Sequence, residues 1–444
     1  MEKNRSPVRT PSARNDLTDT PTPRADQRAP VAPTADANKS DTASNYASAP
    51  GPRASDIDDL CRSWNLHLTK RESELTQTLT AVATHDSAHD ELRDAQAVLD
   101  GAPAEIREQR PRRVKRICVF LPSNNLLYSY VLFGLVPSLY ADEVLIRPSG
   151  RVKDTVLDLD GILRDLPGSR AAIADQTQRQ FLATASEADM VLFSGRYDNM
   201  LRIRKALPDS VPLLHFGSGP NPIVVGPDAD TGRAAEAVVR ARMYNGGQDC
   251  LSPDLVIASH EVIDDLSERI ARSLRSIERS DTTARGMTNP PLYYGDAFTA
   301  ASDFLFRHRT SIVGGGRIDV TAQWIEPTLV RLPALAGAHP PELFSPIVCL
   351  APYKEVGQVR DWLDSESERE RGMYVSVFGE PALNAPVIGT SVNCGPRTAF
   401  DVEDGNRPFG GFGPQASALA LGDRIIGRPL LASAELAPTR EGGR

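Results

Sequence analysis

The residues that could do covalent chemistry are concentrated in Asn245-Gly246-Gly247-Gln248-Asp249-Cys250-Leu251-Ser252-Pro253, a cysteine set among small and amide-bearing residues just ahead of an apolar run. A thiol attacks a carbonyl carbon when nearby charge, dipoles or a base favour its thiolate. Glycines beside it let the backbone approach closely enough to give N–H groups to an oxyanion. Cys250 is therefore the candidate nucleophile. A free cysteine is also a common small core residue, so the loop alone does not settle its role. The elements around it have to.

A chain of 444 residues has room for two domains with sizeable cores. With 50 basic against 58 acidic residues and a net charge of −8, neither nucleic acid nor an anionic membrane is the expected main partner. Cys61, Cys118, Cys250, Cys349 and Cys394 are widely spaced and form no CxxC pair, so neither a zinc site nor a disulfide framework is expected, and no metal. A reducing, cytoplasmic setting is the expectation, and the N-terminus lacks the apolar core of a secretory signal. The longest apolar stretch, Leu126 to Tyr140, carries two serines, a glycine and a proline and falls short of the ~20 residues that cross a bilayer, which predicts a buried helix.

Residues 1–55 are rich in Pro, Ala, Asp, Thr, Ser and Arg and are expected to form a disordered tail, because too little apolar surface is available to offset ordering entropy. Over 56–110, Leu60, Trp64, Leu68, Leu75, Leu79, Val82, Leu92 and Val98 recur at helical steps, predicting a helical segment. The following run Arg107 to Arg116 packs six basic residues into ten positions and reads as a solvated connector, or alternatively as a contact for an anion. Over 111–221 apolar strand runs alternate with helices, among them Ile117–Leu121, Val144–Ile146, Met190–Phe193 and Pro212–Phe216. Over 222–414 a second such unit runs through the Cys250 loop, Leu255–Ser259, Pro346–Ala351 and Tyr374–Val377, leaving 415–444 as a C-terminal segment. Strands alternating with helices predict parallel, doubly wound sheets, which bind ligands at the carboxyl ends of their strands. The fold class expected is α/β, with a cleft between two units.

The order and spacing of the loops resemble the aldehyde dehydrogenase superfamily from about residue 110 to 435. Pro122-Ser123-Asn124-Asn125-Leu126 resembles the family's P-x-N-x-P turn, Arg147-Pro148-Ser149 its K-P-S turn, and Phe193-Ser194-Gly195 its F-T-G segment. Gly247-Gln248-Asp249-Cys250 is similar to G-Q-x-C, Pro341-Glu342-Leu343-Phe344-Ser345-Pro346 to E-E-x-F-G-P, and Val392-Asn393 with Pro408-Phe409-Gly410-Gly411-Phe412-Gly413 to the elements near the C-terminus. The resemblance implies a Rossmann-type NAD(P)-binding domain over 111–221, a catalytic domain over 222–414 and a homo-oligomer, dimer or tetramer, built partly through the C-terminal segment. It implies that Asn124 and the Cys250 N–H hold an oxyanion, that Arg147, Ser149, Ser194 and Gly195 contact the cofactor, that Glu342 holds a ribose and that Phe344 packs by the nicotinamide. Each implied role suits the residue type: a carboxylate accepts two hydroxyls, and an aromatic ring offers a flat apolar wall.

Two positions depart from the pattern. Hydrolytic members carry a water-activating glutamate where this chain has His215, in Leu214-His215-Phe216-Gly217-Ser218-Gly219-Pro220-Asn221-Pro222. Without a carboxylate base a thioacyl enzyme is hydrolysed slowly and can exchange with a thiol or be reduced instead. The segments Gly217–Pro222 and Cys250-Leu251-Ser252-Pro253 resemble those of acylating aldehyde dehydrogenases and acyl-thioester reductases, respectively. After the K-P-S-like turn, Gly150 and Arg151 stand where a ribose-binding glutamate often favours NAD, and a guanidinium suits a 2′-phosphate, so NAD or NADP is expected. The favoured expectation is an acyl-thioester reductase or acylating aldehyde dehydrogenase, with an aldehyde, an acyl-CoA or an acyl carrier protein as partner. The alternatives are ordinary aldehyde oxidation with His215 as base, and a catalytically silent binding module.

Overall fold

The computed structural model describes residues 54–379 and 381–438. The expected tail lies outside the described residues except for its last two positions, which belong to the first helix, Ala54–Lys70. Glu72–Leu79 and His85–Gln109 complete the helical layer. Its apolar stripe, including Trp64, Leu68, Leu75, Leu92 and Leu99, is buried in one core with Ile117 and Val119 of the first central strand. The Trp64 indole N–H donates to the Pro167 carbonyl at 2.8 Å, which removes the cost of burying its polar edge.

Short apolar runs separated by amphipathic helices build two sheets. In the first, Leu213–Phe216, Met190–Ser194, Val114–Phe120, Ala141–Arg147 and Ala171–Ile173 lie side by side and parallel. From Val114–Phe120 the chain moves outward in one direction and then returns to add strands on the other side. The crevice between the ends of Val114–Phe120 and Met190–Ser194 is therefore a topological switch point, where doubly wound sheets bind ligands. The second sheet has eight strands in the order Val387–Ile388, Ser391–Asn393, Tyr374–Phe378, Ile223–Val225, Leu255–Ser259, Ile347–Tyr353, Thr328–Arg331 and Ile312–Gly314. Its interior pairs are parallel and both faces are covered by apolar cores. The α/β architecture with two parallel sheets is the expected one.

The periodic pattern did not reveal the antiparallel hairpin Ser417–Leu421 and Arg424–Gly427, which extends the first sheet beyond Leu213–Phe216. Its inward positions, Ala418 and Ala420, are small and carry no strand signal of their own. The apolar stretch after residue 125 is a buried helix, Leu126–Tyr130, that widens into a π turn at Val131–Leu135 before Val136–Ser138. The basic run connecting the helical layer to the first sheet pairs with neighbouring acids, Arg107 with Asp58 at 3.0 Å, Arg113 with Asp142 at 2.7 Å and Arg116 with Glu143 at 2.6 Å. Among the described residues no helix is long and apolar enough to cross a membrane.

Candidate active site

Cys250 follows the helix Thr231–Met243 through a tight turn in which Asn245, Gly246 and Gly247 all have positive φ. Only a glycine fits at 247: its φ is +81°, and a Cβ there would lie 2.3 Å from the Ser345 carbonyl oxygen. That contact brings the cysteine loop against the 341–346 loop. Arg242, buried at 1% exposure, holds the two together, donating to the Ser345, Gly247 and Pro253 carbonyls and to Asp254 Oδ1 at 2.8 Å.

Other contacts fix the loop from different sides. Asn221 Nδ2 donates to the Cys250 carbonyl at 2.8 Å. Thr84 N donates to Asn245 Oδ1 and Asn245 N to Ser87 Oγ, both at 3.0 Å, fastening the turn to the start of the long N-terminal helix. Asp249 accepts from the Leu251 N–H and from Asn125 Nδ2, both at 2.8 Å. The loop is thus over-determined, as a nucleophile that must meet a carbonyl in one geometry requires.

Cys250 is partly buried and opens into a cavity of about 430 Å³. Asn124 and Ser194 line the same cavity, so the structure brings together three of the residues singled out in the sequence. The π turn contributes Leu132 and Phe133 to the wall. Burial, reinforced by the negative charges of Asp249, Glu342 and Glu403, pushes the Cys250 thiol well above its ordinary value. A raised thiol resists ionisation, so the carboxylates around Cys250 disfavour its thiolate.

His215 does not join them. Successive residues of a strand point to opposite faces, and on Leu213–Phe216 it is Phe216 that faces the cavity, packed against Phe133 and Phe409. His215 faces the other side, fully buried between Phe193 and Tyr197, with Nε2 on the Gln415 carbonyl at 3.1 Å. Burial pulls its pKa down to about 4, and Nδ1 has no partner. The expectation that His215 could serve Cys250 as a base is corrected on geometry: its neighbour holds the position facing the nucleophile.

Six of the residues expected to bind a cofactor, Arg147, Ser149, Gly150, Arg151, Ser194 and Gly195, lie at the carboxyl ends of two first-sheet strands or in the turns after them. Arg147 ends its strand and donates to the Gln176 carbonyl at 3.3 Å; Ser149 and Gly150 form the turn after it, and space around Gly150 is open. Arg151 is exposed and paired with Asp296 at 2.7 Å, so its guanidinium is shared with an acid of the facing unit. Gly195 begins the turn after Met190–Ser194, its N–H donating to Phe216 O at 3.0 Å. Glu342 is exposed, and Phe344, at φ +44°, lies 5.6 Å from the Tyr294 ring. An exposed carboxylate and an aromatic ring are of the residue types that hold a ribose and flank a nicotinamide.

Glu403 escaped notice in the sequence, where it is one acid in an irregular loop. In the structure it lines the Cys250 cavity, its Oε1 accepting from Tyr128 at 3.2 Å and its Oε2 from Tyr374 at 3.4 Å. Asp249, Asn125 and the helical-layer acids Glu91 and Asp94 line the cavity too, and no sequence period points to them.

A sequence profile described as the aldehyde dehydrogenase family matches residues 160–418. The 4,4′-diaponeurosporen-aldehyde dehydrogenase of Staphylococcus aureus is 25% identical over 235 residues, covering 51% of this chain and 50% of that protein. The coniferyl aldehyde dehydrogenase of a Pseudomonas species is 25% identical over 250 residues, 52% of this chain and 50% of that protein. The chain spans about half the length of these curated relatives. Among solved structures, lactaldehyde dehydrogenase from Escherichia coli superposes with a TM-score of 0.73 at 16% identity, over 86% of this chain and 85% of that one. A glyceraldehyde-3-phosphate dehydrogenase from Methanocaldococcus jannaschii, solved with NADP, gives 0.73 at 15% identity, over 87% and 88%. These two likenesses are of fold. With the profile matching more than half of its 444 residues, the chain belongs to the aldehyde dehydrogenase family.

Proposed function

We propose that this chain is an NAD(P)-dependent oxidoreductase that interconverts an aldehyde and an acyl thioester through a thioacyl Cys250. The observation that carries the reading is the Cys250 loop itself, held rigidly at the mouth of a cavity it shares with Asn124. In the reductive direction the Cys250 sulfur bonds to the acyl carbon, the thioester's own carbon–sulfur bond breaks, and the departing thiol keeps the proton that Cys250 gives up. Asn124 and the Cys250 N–H steady the oxygen as it becomes negative. Arg147, Ser149, Gly150, Arg151, Ser194, Gly195, Glu342 and Phe344 would hold the nicotinamide nucleotide, NAD or NADP, which supplies or accepts hydride when bound.

The acyl-thioester reductase or acylating form, with CoA or an acyl carrier protein as the thiol, is favoured because no carboxylate on the strand Leu213–Phe216 faces the nucleophile. Glu403 on the cavity wall favours a second reading, oxidation of aldehyde to free acid. Among the described residues the wall has aromatic rings and carboxylates but no Lys, Arg or His, which suits a neutral or cationic acyl chain. A cytoplasmic homo-oligomer is part of the same proposal. The test pairs NAD(P)H oxidation with acyl-CoA or acyl-carrier-protein thioesters against NAD(P) reduction with aldehydes, on wild type and Cys250→Ala. Thioester-dependent oxidation of NAD(P)H that Cys250→Ala abolishes supports the acylating form. Brisk conversion of aldehyde to free acid without an acceptor thiol would sink it in favour of the second reading.

A further inference from the structure

Five carboxylates line the Cys250 cavity, and their environments separate them. Glu91 caps the helix after Asn125, accepting the Leu127 and Tyr128 N–H groups on one oxygen, and burial pushes it up to about 8. Asp249 is occupied by the Leu251 N–H and Asn125, one on each oxygen. Asp94 and Asp404 are exposed side chains at the rim. Glu403 is different: it is partly buried, and each of its oxygens accepts from a tyrosine hydroxyl while keeping a lone pair free. Tyr374 is itself fixed, accepting the Gly410 N–H at 2.9 Å. Nucleophile, carboxylate and a third group orienting the carboxylate thus share one cavity, on separate elements.

We infer that Glu403 is the general base that takes the proton from the acyl acceptor, water or thiol, as it attacks the thioacyl Cys250. The assignment rests on Cys250 carrying the acyl group. As the acceptor's oxygen or sulfur bonds to the acyl carbon, its proton passes to the Glu403 carboxylate. The tetrahedral centre then collapses, the bond from carbon to the Cys250 sulfur breaks, and the thiolate recovers a proton from Glu403 or solvent. Burial outweighs the two tyrosine hydrogen bonds and, with Asp249 and Asp404 nearby, pushes Glu403 up to about 7, close to the value at which a base is both ionised and effective near neutral pH. The titratable groups facing it are Tyr128, Tyr374, Asp249, Asp404 and Cys250.

The test uses p-nitrophenyl acetate on the full chain, with no nucleotide added. An initial burst of nitrophenolate reports acylation of Cys250, and the steady rate reports discharge to water, or to a small thiol added in a second arm. Glu403→Gln should keep the burst and lose roughly 10²–10⁴-fold in the steady rate, with Glu403→Asp falling between. The wild-type steady rate should rise with pH through about 7, a rise that Glu403→Gln removes. A Glu403→Gln protein that discharges within about threefold of wild type overturns the assignment while leaving the nucleophile intact. Loss of the burst in both variants makes Glu403 structural and also overturns it. A wild type whose nitrophenolate release, burst and steady rate alike, is unchanged in Cys250→Ala overturns the thioacyl reading itself, and the base assignment with it.

Discussion

Asn125 Nδ2 lies 2.8 Å from Asp249 Oδ2, so the turn that ends the first central strand is hydrogen-bonded directly to the residue before the nucleophile. The pair ties the edge of the first sheet to the loop that carries Cys250. Asp249 is 3% exposed and also accepts the Leu251 N–H. In Asp249→Ala the buried Leu251 N–H and the half-buried Asn125 amide lose their acceptor, at about 1–3 kcal/mol for each group that stays unpaired. Urea unfolding should show a loss of about 1–3 kcal/mol for the buried Leu251 N–H and up to about 6 kcal/mol if Asn125 also stays unpaired, with an unchanged m-value, and the amplitude of Cys250 acylation should fall with it.

His215 should make stability depend on acidity. Its pKa is lowered from 6.5 to about 4 in the folded chain, so the unfolded state binds the proton first. The neutral ring's contribution is complete above pH 6.5 and is lost as pH falls from there toward 4, for roughly 3 kcal/mol in all. Chemical denaturation of wild type and His215→Phe at pH 7 and pH 4 measures it. The wild type should lose more stability on acidification than the variant; equal losses would mean that the ring is solvated or charged in the fold.

Cys250 should be alkylated selectively but slowly at neutral pH. The four other cysteines are buried, and the Cys250 thiol is raised above its ordinary value. Since the thiolate is the reacting form, the iodoacetamide rate should climb about tenfold per pH unit from 7 to 9 without levelling off. Peptide mapping of the labelled chain should find the modification at Cys250, and a plateau below pH 8 would contradict the effect of its carboxylate-rich surroundings.

Charge on the substrate should matter in one direction. With carboxylates and aromatic rings around the cavity, and no basic side chain among its described lining residues, an aldehyde with a terminal ammonium should be used at least about tenfold better than its carboxylate counterpart of equal length. Comparison of kcat/KM at low and high salt checks this, because screening should narrow the gap.

Much of the architecture was legible along the chain because burial imposes a period. Ile117–Phe120 of the first central strand, Met190–Phe193 and Leu255–Ser259 are runs buried on both faces, and their flanking helices carry a repeating apolar stripe. The edge strand Ala171–Ile173 and the hairpin after Ala416 were not legible, being short or built from small residues whose pairing partners lie far away in sequence.

By itself the sequence determined the α/β class, the cysteine loop and the turn residues that let that loop form, since Gly247 and Asn125 sit in backbone conformations their types favour. Only the tertiary structure decided which side chains meet there. A strand's period of two leaves both faces open until register is set, and a shift of one residue exchanges them. On Leu213–Phe216 that choice turned Phe216 toward Cys250 and His215 away. The same packing brought Glu403, 153 positions beyond Cys250 in the numbering, into the cavity, through contacts with Tyr128 and Tyr374 that no local pattern encodes.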